Sequence, residues 1–253
     1  MSADGKGGFS LRSYLAPHVN AEGRRFGAVA CAVAAVPLAA LAWTAASSPS
    51  LGCALCLAAL GAVTALFALL AWGVFLFFRD PERFPPENDP DAMLSPADGR
   101  VCLVQECAMP DSFAELDGFR GKKFWRVSVF MSVFNVHVNR MPTSGEILKK
   151  EYVAAGKFFN ASLDKASKEN ERCNYLVKAA NGQTYAVVQI AGLVARRIVP
   201  QVSEGDRLGT AERFGLIRFG SRLDVYLPEG VKPEVRVGQT MVAGETPIAH
   251  FRR

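Results

Sequence analysis

Two long stretches without a single charge constrain this chain more than any other feature. Phe26 to Ala46 runs for 21 residues and Cys53 to Phe78 for 26. A helix rises about 1.5 Å per residue, so either run can cross a hydrocarbon core about 30 Å thick. Pro37 lies inside the first run, where a bilayer helix tolerates a kink. Thr44 to Gly52 is small and polar-leaning, contains Pro49, and reads as the turn of a hairpin. Trp43 and Trp72 sit near span ends, and Phe75, Phe77 and Phe78 crowd the second exit before Arg79 and Asp80 close it. A cleaved secretion leader leaves the second run without an explanation. A hairpin that dips into the bilayer without crossing stays open. Arg24 and Arg25 precede the first span, Arg79 and Arg83 follow the second, and the turn has no Lys or Arg. The positive-inside rule therefore expects both ends in the cytoplasm, with the rest of the chain against the inner face of the cell membrane.

Around the hairpin (26–78), the expected division is a basic lead over 1–25, a linker over 79–97 and a body over 98–253. The linker holds Pro81, Pro85, Pro86, Pro90 and Pro96. Proline fixes φ and removes an amide donor, so this segment cannot prolong the helix and reads as stiff and extended. The body is long enough for one domain with its own core. Net charge is +5, and no Lys/Arg block is interleaved with aromatics, which argues against nucleic acid. Cys53 and Cys56 form a C-x-x-C that no second pair or nearby His completes, so no metal site is expected. Together with the scattered Cys31, Cys102, Cys107 and Cys173, they fit a reducing compartment.

The body reads as short strands and turns. Val101 to Val104, Phe124 to Val133 and Ile147 to Val153 are β-rich, and Asn181-Gly182 predicts a hairpin between 174–180 and 183–191. Lys157 to Arg172 reads as a loop with a weak helix, a candidate flap. Leu193 to Val199 reads as a short helix or strand. An echo stands near the end: Val202-x-x-Gly205-Asp206-x-Leu208 matches Val235-x-x-Gly238-Gln239-x-Met241. The repetition predicts two related β-units, sandwich- or hammerhead-like, packed around Gly220-Ser221. The expected fold is mainly β, α+β overall, behind an N-terminal two-helix hairpin.

Five short motifs stand out: Phe77-Phe78-Arg79-Asp80-Pro81-Glu82-Arg83, Ser95-Pro96-Ala97-Asp98-Gly99, Phe134-Asn135-Val136-His137-Val138-Asn139-Arg140, Asn160-Ala161-Ser162-Leu163-Asp164 and Arg218-Phe219-Gly220-Ser221-Arg222. Read alone, Gly220-Ser221 and Asp98-Gly99 are turns, and His137 is either a satisfied structural residue or a base. His18 and His250 read as solvated. A Ser after a Gly can attack the preceding carbonyl carbon when a base and oxyanion donors are at hand. Gly220 leaves that attack unhindered.

Together, and in this order, the motifs resemble the short form of phosphatidylserine decarboxylase proenzyme across roughly 77–250. The resemblance implies self-cleavage between Gly220 and Ser221, giving chains 1–220 and 221–253 that stay together as a heterodimer. It implies that Ser221 becomes a covalent pyruvoyl group, which takes the amine of phosphatidylserine as a Schiff base and accepts electrons as CO2 leaves. His137 becomes the expected base, since imidazole exchanges protons near neutrality. Asp98 is expected to orient it or to polarise Ser221.

Two departures qualify the match. Longer members carry a second histidine where this chain has Arg140, before Met141-Pro142. Their Leu-Gly-Ser-Thr is Phe-Gly-Ser-Arg here, which sets Arg222 beside the reacting residue, to pair with a phosphate or carboxylate or to face solvent. Arg222, Arg140 and Asn160 are the candidate residues lining the site, while Ser162 and Lys165 carry no derived role. Higher assembly is left open. The competing readings are a pyruvoyl decarboxylase of a soluble amino acid and a non-enzymatic β-sandwich membrane adaptor.

Overall fold

The computed structural model describes residues 19–47, 51–87, 89–154, 159, 161, 164, 166–192, 197–218 and 220–251. Contacts divide the chain into two units, 1–82 and 83–253.

In the first unit both uncharged runs are helical. Helix α1 spans Ala21–Ser47 and α2 spans Leu51–Phe77. Asn20 opens α1 by accepting the Glu22 N–H on its side-chain oxygen at 3.1 Å, the usual service of an N-cap. The helices meet where side chains are absent: a Cβ on Gly23 would lie 2.2 Å from Cβ of Phe78, and one on Gly27 2.7 Å from the Phe75 ring. Most of the remaining surface is apolar and open, with Leu55 at 78% and Trp43 at 75% exposure. Burying such surface is what a soluble core helix would do. Both helices are long and apolar enough to cross a membrane.

The second unit is built on an eight-stranded antiparallel sheet. Its strands are β2 (Gly99–Cys107), β3 (Phe124–Met131), β5 (Gly145–Val153), β6 (Arg172–Ala179), β7 (Thr184–Ile190), β9 (Arg207–Leu208), β11 (Ser221–Tyr226) and β12 (Thr240–Met241). They lie in the order β12-β2-β3-β11-β7-β6-β5-β9. Strands β4 (Val138–Arg140) and β8 (Ile198–Pro200) flank β10 (Arg213–Ile217) in a second sheet. Strand β1 (Ala92–Leu94) pairs with β13 (Pro247–His250). Two one-turn helices, α3 (Asp111–Ala114) and α4 (Ala166–Glu169), complete the elements among the described residues.

The strand order is a palindrome of equivalent pieces, and the echo in the sequence is its cause. Gly205 N–H donates to Ile147 and Gly238 N–H to Val101, each at 2.8 Å. Ile147 N–H donates to Asp206 and Val101 N–H to Gln239, each at 2.9 Å. Strands β9 and β12 then pair with the starts of β5 and β2 in the same register. Both receiving strands bulge just after those contacts, between Val101/Leu103 and Ile147/Lys149. The β6–β7 hairpin turns at Asn181-Gly182 as the sequence predicts, with Gly182 at φ +88°.

Side chains alternate across a strand, so the main sheet has two faces. Met131, Val129, Val127, Leu223, Val225, Val187, Tyr175 and Ile147 belong to the larger core. Met109, Phe113, Phe124, Leu176, Val188, Ile190 and Tyr226 form a smaller one. Each fully buried Val or Leu contributes about 1.5–3 kcal/mol.

Two local expectations are revised. Ala92–Leu94, inside the expected linker, is a fully buried strand because β13 returns to pair with it. His250 is not solvated: its Nε2 lies 2.7 Å from Asp89 and its Nδ1 2.9 Å from Glu234. The hydrogen bond it donates to Asp89, aided by Glu234, raises its pKa above the ordinary histidine value. His18 and residues 193–196 lie outside the described residues.

Candidate active site

Strand β10 ends at Ile217, and the chain crosses from the smaller sheet into the larger one through 218–220. Gly220 makes the crossing at φ +55°, the left-handed region that costs a side-chain-bearing residue strain. A Cβ there would meet nothing within 4 Å, so the conformation, not crowding, calls for glycine. Ser221 follows at once as the first residue of β11, fully buried and directly opposite Met131 of β3. Its Oγ lies 4.0 Å from the Met131 sulfur. Phe219 lies outside the described residues.

His137 follows the turn after β3. Ser132 N–H and Oγ both donate to Oδ1 of Asn135 at 2.8 Å, which closes a tight turn after β3. The Asn135 carbonyl then lies 2.9 Å from His137 Nδ1. A carbonyl can only accept, so Nδ1 carries the proton, and in the neutral ring Nε2 presents the lone pair. The His137 carbonyl accepts Ile217 N–H at 3.3 Å, tying this buried residue to the strand that leads into Gly220-Ser221.

Asp98 stands in the turn before β2. Its carboxylate accepts Nη2 of Arg83 at 2.9 and 2.8 Å and the Ala243 N–H at 2.8 Å. Pro96, in the same turn, accepts Arg140 N–H at 2.9 Å. The Pro96 carbonyl thus ties this turn to the segment that carries His137 and Arg140, while the Asp98 hydrogen bonds go to Arg83 and Ala243. Arg140 is buried, and its Nη1 donates to the Ala211 carbonyl at 3.0 Å.

Arg222 faces the opposite way from Ser221, as strand alternation requires. It is wholly buried and pairs with the equally buried Asp224, Nε to Oδ1 at 2.8 Å and Nη2 to Oδ2 at 3.0 Å. Nη1 donates to the Ala161 carbonyl at 3.0 Å, and Nη2 also donates to Ser167. Arg126, one strand over, pairs with Asp164 and donates to Ser167. Burial opposes the Arg126 charge, but Asp224 and Tyr226 outweigh it and raise its pKa. Burial likewise opposes ionisation of Asp164, and the bond and charge of Arg126 prevail to lower it. This face borders a cavity of about 490 Å³ lined by Arg126, Asp164, Ser167, Arg172, Asn174 and Tyr226. The cavity is therefore across the sheet from the Ser221 side chain. Asn160, Ser162 and Lys165 lie outside the described residues.

Burial pushes the thiols of Cys102, Cys107 and Cys173 up, which makes them weak nucleophiles. One group near Ser221 carries no expectation from the sequence beyond Asn139's place in a motif: Asn139, Gln189 and Tyr175, all buried and linked by hydrogen bonds at 2.8 Å. Asn139 is two residues from His137, and that spacing on an extended segment is a signal for a shared face.

The family model for phosphatidylserine decarboxylase matches residues 70–249. The phosphatidylserine decarboxylase proenzyme of Ruegeria pomeroyi is 55% identical over 194 residues, 74% of this chain and 86% of its own. The proenzyme of Erythrobacter litoralis is 47% identical over 238 residues, covering 92% and 88%. That of Novosphingobium aromaticivorans is 45% identical over 240 residues, covering 93% and 87%.

Proposed function

Because the chain belongs to the phosphatidylserine decarboxylase family, a family of carboxy-lyases, we propose that it converts phosphatidylserine to phosphatidylethanolamine and CO2 after cutting itself between Gly220 and Ser221. One observation carries the reading: a left-handed Gly220 immediately precedes a fully buried serine at the head of a central strand.

The cut proceeds by attack of Ser221 Oγ on the Gly220 carbonyl carbon. The C–N bond breaks as the C–O bond forms, and the amide becomes an ester. Loss of the Ser221 α-proton then expels the Gly220 carboxylate from Cβ, leaving dehydroalanine at 221. Water converts this to a ketone and releases ammonia. The buried, apolar-walled position of Ser221 suits such a group, which in the mature enzyme would bind the substrate amine and act as the electron sink for decarboxylation.

His137 takes the Oγ proton. Its tautomer is set by the Asn135 carbonyl, the role an acid plays in other serine triads. Asp98 acts at one remove, by holding the turn that supports Arg140 and the His137 segment. Arg222 holds Ala161 and Ser167 against β11, and it does so from the far face. The hairpin anchors the enzyme in the cell's inner membrane, with both ends cytoplasmic. The products 1–220 and 221–253 remain associated as one enzyme.

The test is the denatured intact mass of wild type and Ser221→Ala, with CO2 release from phosphatidylserine in mixed micelles and from free serine. Wild type should give two chains meeting at 220/221, the smaller carrying a ketone reducible by borohydride with an amine. It should act on the lipid alone. Ser221→Ala should remain one inert chain. A wild type of full single-chain mass ends the reading, and equal turnover of free serine ends the lipid assignment.

A further inference from the structure

The buried line Tyr175–Gln189–Asn139 ends beside Ser221 and has a direction. Tyr175 lies on β6, Gln189 on β7 and Asn139 on β4. All three are at most 1% exposed. Burial raises the Tyr175 pKa, so its hydroxyl keeps its proton and donates to Gln189 Oε1 at 2.8 Å. That fixes the Gln189 amide, whose Nε2 donates to Asn139 Oδ1 at 2.8 Å. The Asn139 amide is fixed in turn, and its Nδ2 is aimed at the Met131 sulfur, 3.6 Å away. Ser221 Oγ lies 4.0 Å from that same sulfur. Gly215 belongs to the arrangement: a Cβ there would lie 3.0 Å from Gln189 Nε2 and 2.9 Å from the Val199 carbonyl.

A thioether is a weak acceptor on a flexible, unbranched side chain. Three residues are therefore spent on aiming a buried amide donor at a poor partner adjacent to the reacting oxygen. We propose that Asn139 is the donor that stabilises Ser221 Oγ during self-cleavage, with Tyr175 and Gln189 as positioning residues that hold its amide in the donating sense. The inference rests on the self-cleavage reading above.

Negative charge gathers on Oγ twice. It forms as His137 removes the hydroxyl proton and Oγ attacks the Gly220 carbon. It gathers again when the Cβ–Oγ bond breaks and Oγ leaves as part of the Gly220 carboxylate. A donor at that atom lowers both barriers, and the Met131 thioether, which lies against both groups, is the part that must swing aside for the amide to reach the oxygen.

The experiment follows first-order conversion of the newly synthesised full chain, in micelles, to 1–220 and 221–253 between about pH 5 and 8. Wild type, Asn139→Leu, Gln189→Leu and Gln189→Glu are compared, with unfolding midpoints measured on the same proteins. Asn139→Leu and Gln189→Leu should slow cleavage, Asn139→Leu by about 100-fold, the usual loss for one oxyanion donor. In the Gln189→Glu variant the ionised carboxylate can only accept, so it turns the Asn139 amide round and points Oδ1 at Ser221. Once protonated, the introduced carboxyl can again donate to Asn139. The Gln189→Glu rate relative to wild type should therefore be low at neutral pH and recover on acidification, and Gln189→Leu should show no such recovery. A merely structural role predicts no relative gain in acid.

A Gln189→Glu chain that cleaves at the wild-type rate at pH 8, or is slowed equally at every pH, overturns the inference even if Asn139→Leu fails to fold. The self-cleavage reading then stands. A wild type that does not cleave overturns both.

Discussion

Removing the Asp224 carboxylate should destabilise the protein far more than removing the Arg222–Asp224 pair as a whole. Both side chains are at 0% exposure. With Asp224→Leu, Arg222 keeps its bonds to Ala161 and Ser167 but loses its countercharge. Arg126 also loses the anion that does most to hold its charge. Asp164, which pairs with Arg126, is 61% exposed and screened by water. Stranding a buried charge costs about 3–5 kcal/mol. At about 2–4 °C per kcal/mol for a domain of this size, the midpoint should fall by about 6–20 °C. The double variant Arg222→Met/Asp224→Leu fills similar volume with no charge to strand, and should return to within about 2 kcal/mol of the parent. All variants are made with Ser221→Ala, so that every sample is one uncut chain, and thermal unfolding is followed at one scan rate through the half-buried Trp125. An Asp224→Leu loss under about 1 kcal/mol, or a double variant as weak as the two singles summed, would refute mutual neutralisation across the sheet.

Three further outcomes are expected. The His250 pKa is raised by Asp89 and Glu234 from an ordinary 6.5, so its stabilising charge is complete below about 6.5 and fades as pH rises through the raised value. Amide-exchange protection in β13 should decline across that window and be flat in His250→Gln; equal pH dependence in both excludes the clamp. Gly220→Ala, read in the Ser221→Ala background, should cost about 1–2 kcal/mol, the left-handed penalty alone, because its Cβ meets open space; a loss above about 3 kcal/mol would mean that the turn is packed. A C-terminal affinity tag on the mature protein should retain chain 1–220 through native washing and release it in urea; loss of the large chain in native buffer contradicts the association.

What could be read from the chain was local. Uncharged runs fix helices because nothing else buries or immerses them. Asn181-Gly182 fixes a hairpin because the turn needs positive φ. The echo at 202 and 235 was visible because turn glycine and flanking valine stay the same in both copies. A second echo, Ser95-Pro96-x-x-Gly99 against Met141-Pro142-x-x-Gly145, was hidden by its differing residues and is plain only from its hydrogen bonds. Leu94 N–H reaches Pro142 at 2.8 Å, and Arg140 N–H reaches Pro96 at 2.9 Å. The partners of His250, Asp98 and Arg222 were not legible, because Asp89, Arg83, Ala161 and Ser167 arrive from remote segments. Asp224 was within reach, since two residues along a strand is one face. His137 and Gly220-Ser221 were legible through the family's motifs more than through their own chemistry.

The duplicated frame would let the fold survive the proposed cut at this bond. The two copies meet where β11 pairs with β7, and β11 is also paired with β3 along its whole length. All six of its side chains are buried. Severing a bond inside β10 or β11 would interrupt a ladder. Severing the bond before Ser221 interrupts neither, since β10 has ended in one sheet and β11 begins in the other. The proposed reaction also needs a glycine in the left-handed region beside a serine held by sheet, and the crossing supplies both, with Ser221 paired to Met131. The equivalent turns show how little else had to change. Ala211 at φ +62° stands where the other copy has Gly244 at +74°, and Ser144 stands where the other has Asp98. One copy supplies the brace for His137 and the other supplies Gln189 and Tyr175. At the seam between them, the strand carrying the serine is gripped by both.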